Sequence, residues 1–199
     1  MAHFVAGVLD REAMAGIVEE ICRSASLAAD GRVTAGMVYQ DTPATVRVVF
    51  QSLAAVAQMK IRNVGDDDFG LYAHDGLPDA WQVQHFGENH PLGIATADFD
   101  GDGQSNDFEY HAGLSPTDPQ SRFALEISAP AFLPGQKALL FGPIVAGRPY
   151  TIECSTDLNQ NHFTTLTNTW EFDFGNSRMV LDRDPVAPGK FYRVRITGP

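Results

Sequence analysis

The chain has 199 residues, 44% of them apolar, and a net charge of −11. That is room for one large domain or two or three small ones, with enough apolar content to exclude general disorder. No basic stripe is present to neutralise phosphates, which excludes a nucleic-acid partner, and no apolar run approaches the roughly 18–20 residues that a membrane span requires. The acidic excess is local. Residues 66–109 hold eleven Asp and Glu and no Lys or Arg, whereas acids and bases balance at six each in residues 1–65 and eight each in residues 110–199. Like charge at that density resists compaction unless cations bind within it.

Residues 1–65 read as a small α+β unit without a chemical motif. Met1 to Leu9 has no positive leader, and Asp10, Arg11 and Glu12 interrupt its apolar run, so no signal peptide is expected. The chain then reads either as cytoplasmic or as the C-terminal part of something longer. From Asp10 as N-cap, the positions Met14, Ile17, Val18, Ile21, Cys22 and Ala25 recur at helical spacing and predict a helix. A turn at Ala29-Asp30-Gly31 leads to predicted strands at Val33–Tyr39, Thr45–Phe50 and Ala57–Val64, with Asp41-Thr42-Pro43 as the break between the first two. Cys22 and Cys154 are far apart, have no CxxC-type partner, and read as separate buried thiols rather than a disulfide.

Residues 66–114 form a repeat. In Asp98-Phe-Asp100-Gly-Asp102-Gly103-Gln104-Ser-Asn106-Asp-Phe-Glu109, oxygen-bearing residues alternate, a glycine marks a sharp reversal, and a glutamate closes the loop. This is the EF-hand calcium spacing, which suits a hard cation seeking six to eight oxygens from one short segment. Asp98, Asp100 and Asp102 would each give a carboxylate oxygen, Gln104 its carbonyl, Asn106 a water-mediated contact, and Glu109 both oxygens. A copy lies 27 residues upstream, Asp75 matching Asp102, Gly76 Gly103, Asp79 Asn106, Trp81 Phe108 and Gln82 Glu109. Its first and third places fall on Leu71 and Ala73, which offer no side-chain oxygen, but Asp66-Asp67-Asp68 stands just upstream. Asp68, Asp75 and Asp79 are therefore the candidate ligands of a second calcium. Each half should run as a short helix to a glycine, Gly87 or Gly113, with Trp81 and Phe108 packed together across a pseudo-twofold. His74, His85, His90 and His111 show no HExxH or paired zinc spacing and read as surface or helix-face residues.

The run Asp75-Gly-Leu-Pro-Asp-Ala-Trp, His85-Phe-Gly, Asp98-Phe-Asp-Gly-Asp-Gly-Gln-Ser-Asn, Glu109-Tyr, Ala112-Gly-Leu and Pro116-Thr-Asp-Pro resembles the thrombospondin type-3-like calcium repeats of large secreted bacterial proteins. Dockerins, related in loop chemistry, are a weaker likeness. The resemblance covers roughly residues 66–123. It implies a non-catalytic, calcium-stiffened module at the cell surface or outside the cell, with Asp98, Asp100, Asp102, Asn106 and Glu109 as ligands by position and Asp75 and Asp79 less firmly.

Residues 115–122, Ser115-Pro-Thr-Asp-Pro-Gln-Ser-Arg, read as a stiff linker. Residues 123–199 then alternate in short segments: Phe123–Ile127, Lys137–Phe141, Tyr150–Cys154, Phe163–Leu166, Trp170–Phe174, Arg178–Leu181 and Phe191–Ile196. Gly175-Asn176-Ser is a hairpin signal, and the whole predicts an immunoglobulin- or fibronectin-like β-sandwich. Overall the expected fold is an α+β multi-part chain, its parts being residues 1–65, 66–114, the 115–122 linker and 123–199.

No nucleophile elbow, phosphate loop or catalytic metal motif is found, so no enzyme is expected. Glu19 and Glu20 are adjacent and point apart on a helix, and Asp182 and Asp184 read as ordinary surface acids. The expected function is an extracellular calcium-binding module that rigidifies a domain junction. A docking module in the dockerin manner, binding another protein or a surface polymer, and the accessory end of a larger secreted enzyme are the alternatives.

Overall fold

The computed structural model describes residues 18–21, 25–27, 32–50, 53–131, 133–158, 162–184 and 189–198. The chain divides into two compact units, Met1–Ala95 and Thr96–Pro199.

The first unit is built on strands. β1 (Val18–Ile21) pairs antiparallel with β4 (Thr42–Phe50), which pairs along its whole length with β5 (Leu53–Ile61). β2 (Ala25–Leu27) and β3 (Val33–Ala35) form a separate two-stranded ladder. The helix expected from Asp10 is therefore corrected: residues 10–17 lie outside the described ones, and the stretch that should have been its second half is strand. Val18 and Ile21 are β-branched, and backbone pairing with Val48 and Val46 outweighs the weak helical periodicity. Pro43 also sits inside β4 rather than in a break before it. It pairs with Lys60 on the β5 side and lies beyond the stretch covered by β1, where a missing N–H leaves no ladder bond unmade. Val38, Ala44 and Ile61 form a small buried cluster with Met59 packed against it.

The unit ends in a loop and α1 (Asp79–Phe86), and the second unit begins with a loop and α2 (Asn106–Ala112). These are the two α-helices among the described residues, and no described helix leads into either loop. An α+β chain with a paired, helix–loop–helix EF-hand is thus not what forms; the chain is mostly antiparallel β. Glycine supplies the helix stops as expected, Gly87 with φ 80° and Gly113 with φ 74°.

The rest of the second unit is two antiparallel sheets. One has the order β10 (Thr169–Phe174), β11 (Ser177–Asp182), β7 (Lys137–Gly142), β6 (Ala124–Ser128); the other has β12 (Phe191–Ile196), β8 (Tyr150–Ser155), β9 (Thr164–Thr165). Leu139, Phe141 and Val180 from the first sheet and Ile152 from the second are buried in one cluster with Leu166, against which Phe123, Leu125, Tyr150, Tyr192 and Val194 pack. That is a sandwich core, as the alternation predicts. β10 is the edge strand of its sheet and both its faces are exposed: Trp170, Phe172 and Phe174 on one side, Glu171 and Asp173 on the other.

Cys154 carries a free thiol, and Cys22 lies outside the described residues. Asp182, read from the sequence as a surface acid, is a further correction. It is fully buried, 2.8 Å from both Lys190 Nζ and the Tyr192 hydroxyl, and its other oxygen accepts the Asp184 N–H at 3.0 Å. Burial pushes its carboxyl up, but the bonds from Lys190 and Tyr192 outweigh that and hold it below the ordinary carboxylate range. It ties β11 to the start of β12, across the two sheets.

Candidate metal centre

The Asp98 loop is shaped by its own carboxylates. Asp98 accepts the Gly101 and Gly103 N–H groups at 2.8 and 2.9 Å, Asp100 accepts the Asp102 N–H at 3.1 Å, and Asp102 accepts the Gln104 N–H at 2.7 Å. Each bond curls the chain inward. Gly101 and Gly103 take φ values of 79° and 94°, which a side chain would resist. One oxygen from each of Asp98, Asp100 and Asp102 then lies within 4.8 Å of the others. The Ser105 hydroxyl caps α2 by accepting the Phe108 N–H at 3.3 Å, and the first helical turn carries Asn106 and Glu109 inward, both fully buried.

Charge at this point is not compensated. Glu109 is buried with neither carboxylate oxygen hydrogen-bonded, and Asp100 Oδ2 and Asp102 Oδ2 are likewise buried without a partner among the described residues. Burial first, and then repulsion from Asp100, Asp102 and Asp98, pushes the Glu109 carboxyl up to about 8; Asp100 is also raised, chiefly by burial. A buried, unpaired carboxylate costs several kcal/mol, roughly, unless a positive charge compensates it. Oxygen-only donors, inward carboxylates and a closing glutamate suit calcium. These residues fit the ion.

Gln104 does something the spacing does not reveal. Its side-chain amide donates to the Phe123 carbonyl at 2.8 Å and accepts the Phe123 N–H at 3.0 Å, acting as a one-residue strand partner just before β6. Only its backbone carbonyl is left to face an ion. The Phe123 ring stacks on Tyr150 at 6.3 Å and meets Phe108 at 6.1 Å and Phe141 at 5.9 Å, so one residue touches α2 and the sandwich core. Arg148 adds a bond to the Tyr110 carbonyl at 3.2 Å. Within the second unit the loop, its helix and the sandwich are one packed body.

The upstream copy follows the same plan with different residues. Gly76 N–H bonds Asp67 Oδ2 at 2.9 Å, as Gly103 bonds Asp98, and Leu77 N–H bonds Asp75 Oδ1 at 3.0 Å, as Gln104 bonds Asp102. Asp79 N–H bonds the Asp66 carbonyl at 2.7 Å, as Asn106 bonds Ala97 at 2.8 Å. Gly76 and Gly103 share φ values of 95° and 94°. Asp67, not Leu71 or Asp68, therefore holds the first place, reached through a longer loop. The Asp68 side chain packs at Gly65 instead. The Asp79 carboxylate accepts the Asp68 and Phe69 N–H groups at 2.7 and 2.9 Å. Gln82, fully buried like Glu109, donates to Asp75 Oδ2 at 2.8 Å and to the Gly93 carbonyl at 2.9 Å, and Asp75 Oδ2 also accepts the Ala95 N–H at 2.8 Å.

The candidate pairing of Trp81 with Phe108 would cross the two units. Within its own unit Trp81 meets His85 at 4.8 Å and Phe86 at 5.6 Å. Among the described residues the acidic triad Asp98, Asp100 and Asp102 is the group spaced to hold a metal, and the histidines do not join one. No described helix is long and apolar enough to cross a membrane. Comparison with protein-family models, with curated proteins and with solved structures finds no significant match.

Proposed function

We propose that this chain is a non-catalytic calcium-binding module of a secreted or cell-surface protein, in which one ion in the Asp98 loop stiffens the junction between that loop and the β-sandwich. The observation that carries the reading is Glu109, buried with both oxygens unpaired beside Asp98, Asp100 and Asp102. The ion would be held by Asp98, Asp100, Asp102, Glu109, the Gln104 carbonyl and, through water, Asn106. The resemblance to thrombospondin type-3-like repeats supports the same conclusion.

Stiffening follows from where the loop is anchored. Drawing the carboxylates together fixes the first turn of α2, and with it Phe108 against Phe123; the Gln104 clamp transmits the same restraint to the backbone entering β6. Extracellular modules bind calcium at about 10⁻⁴–10⁻³ M, and millimolar calcium would keep such a site filled. A tenfold excess over Kd adds roughly 1.4 kcal/mol to folding. The reading is tested by isothermal titration with calcium chloride. The expected result is saturable binding by the wild-type chain and none by Asp102→Ala; an equal heat from both would remove the site.

A further inference from the structure

We infer that the loop from Asp67 to Gln82 is a cation-free twin of the calcium loop, held closed by the Gln82 carboxamide nitrogen, so that the chain takes one ion and not two. The inference rests on the calcium reading of the Asp98 loop and says what the other half of the repeat does.

The two loops match position by position. Asp67, Asp75, Gly76, Asp79 and Gln82 make the backbone bonds, or hold the buried places, of Asp98, Asp102, Gly103, Asn106 and Glu109. The two loops part most clearly at one atom. Asp102 Oδ2 is buried with no hydrogen bond, whereas its counterpart Asp75 Oδ2 accepts two N–H groups at 2.8 Å, from Gln82 and Ala95. Donors therefore point at the oxygen where a cation would have to sit. Turning the Gln82 amide over does not open the place. Its nitrogen faces two acceptors, Asp75 Oδ2 and the Gly93 carbonyl, and an inverted amide would set oxygen against oxygen at both. The third place, Asp100 in the calcium loop, has no acidic counterpart here, and Asp79 has one oxygen committed to the Asp68 and Phe69 N–H groups. The remaining buried acceptors, Asp79 Oδ1 and Gln82 Oε1, are far short of the six or more oxygens calcium takes. The first unit thus keeps the loop geometry and replaces the ion by an amide.

Native mass spectrometry of the full chain, with calcium chloride as the only added metal, counts the ions. Wild type should carry one, and Asp102→Ala none. Gln82→Glu removes the amide donors but leaves the third place without an acid and Asp75 bonded to the Ala95 N–H, so the count should stay at one. The variant should melt below wild type in calcium and in chelator alike, because the introduced carboxyl cannot donate to both Asp75 and the Gly93 carbonyl. Two ions on wild type, one of them surviving Asp102→Ala, would overturn this inference and leave the calcium reading standing. No ion on wild type would remove both. If Gln82→Glu does not fold, the wild-type and Asp102→Ala counts still decide between one site and two.

Discussion

At the close of the second loop Glu109 presents two buried oxygens with no partner among the described residues; at the close of the first, Gln82 gives both its amide hydrogens to fixed acceptors. Several backbone bonds around these two side chains correspond, and the matched glycines share φ values of 94° and 95°, although the first loop takes a longer path from Asp67. The difference shows that a similar loop forms whether its closing side chain is an unpaired carboxylate or a fully bonded amide. Turn-forming carboxylates and a left-handed glycine set the shape in both halves. On the proposed reading the loop that takes an ion has a carboxylate at the last place and an acid, Asp100, at the third, whereas the loop that takes none closes with an amide and has no acid at the third place. A neutral amide can satisfy a buried aspartate by hydrogen bonding, whereas a second carboxylate at the same place can only repel it.

The sharpest way to break this comparison is to remove the matched aspartates. Asp102→Ala should lower calcium affinity by more than about 100-fold, roughly 3 kcal/mol, and erase any difference between melts in calcium and in chelator. Asp75→Ala removes bonds from Leu77, Gln82 and Ala95 and should destabilise by a similar amount, about 2–4 kcal/mol, but equally in both conditions. If Asp75→Ala proved calcium-sensitive and Asp102→Ala did not, the assignment of roles would be reversed.

A smaller and more diagnostic change is Glu109→Gln, which copies the first loop's closing residue into the second. In chelator Glu109 must take up a proton on folding because its carboxyl is pushed up to about 8; Gln needs none, so at neutral pH the variant should melt above wild type, by about 1–3 kcal/mol of stability. In calcium the order should invert, because a bidentate ligand is gone. Thermal melts in the two buffers give the answer, and a variant less stable than wild type in both would count against an uncompensated charge at this site. Smaller still should be Gln104→Ala. It leaves the Phe123 N–H and carbonyl without their clamp and should cost about 1–2 kcal/mol, with calcium affinity falling only severalfold. Hydrogen exchange at the Phe123 amide reports it directly.

Much of the second loop is legible in the chain, because its carboxylates are local and each turns inward onto a nearby backbone N–H. Asp98, Asp100 and Asp102 come together as the alternation predicts, and Glu109 is buried in the first turn of α2. The first loop is less legible for a physical reason: its first-place carboxylate is Asp67, reached by a longer path, and a fixed-period alignment lands on Leu71 instead. The run Asp66-Asp67-Asp68 is the available signal, but only the fold selects which of three neighbours turns inward. Gln104 is similar, since a side chain that mimics a strand partner depends on where Phe123 arrives. In the sandwich, alternation identifies the strands, yet it cannot tell that β10 lies at the open edge of its sheet, where Trp170, Phe172 and Phe174 are exposed. Asp182 is read from sequence as a surface acid because its partners Lys190 and Tyr192 come from another part of the chain, at and just before β12. The N-terminal helix fails where β-branched residues meet a pairing strand, a contact no local window contains.

The central claim is that an ion in the Asp98 loop stabilises the unit built around it. Differential scanning calorimetry of the full wild-type chain in millimolar calcium and in excess chelator tests it most directly. The account predicts a transition that moves down by several degrees when calcium is removed, roughly the shift that 1–2 kcal/mol produces in a domain of this size. Superimposable curves in the two buffers would contradict it.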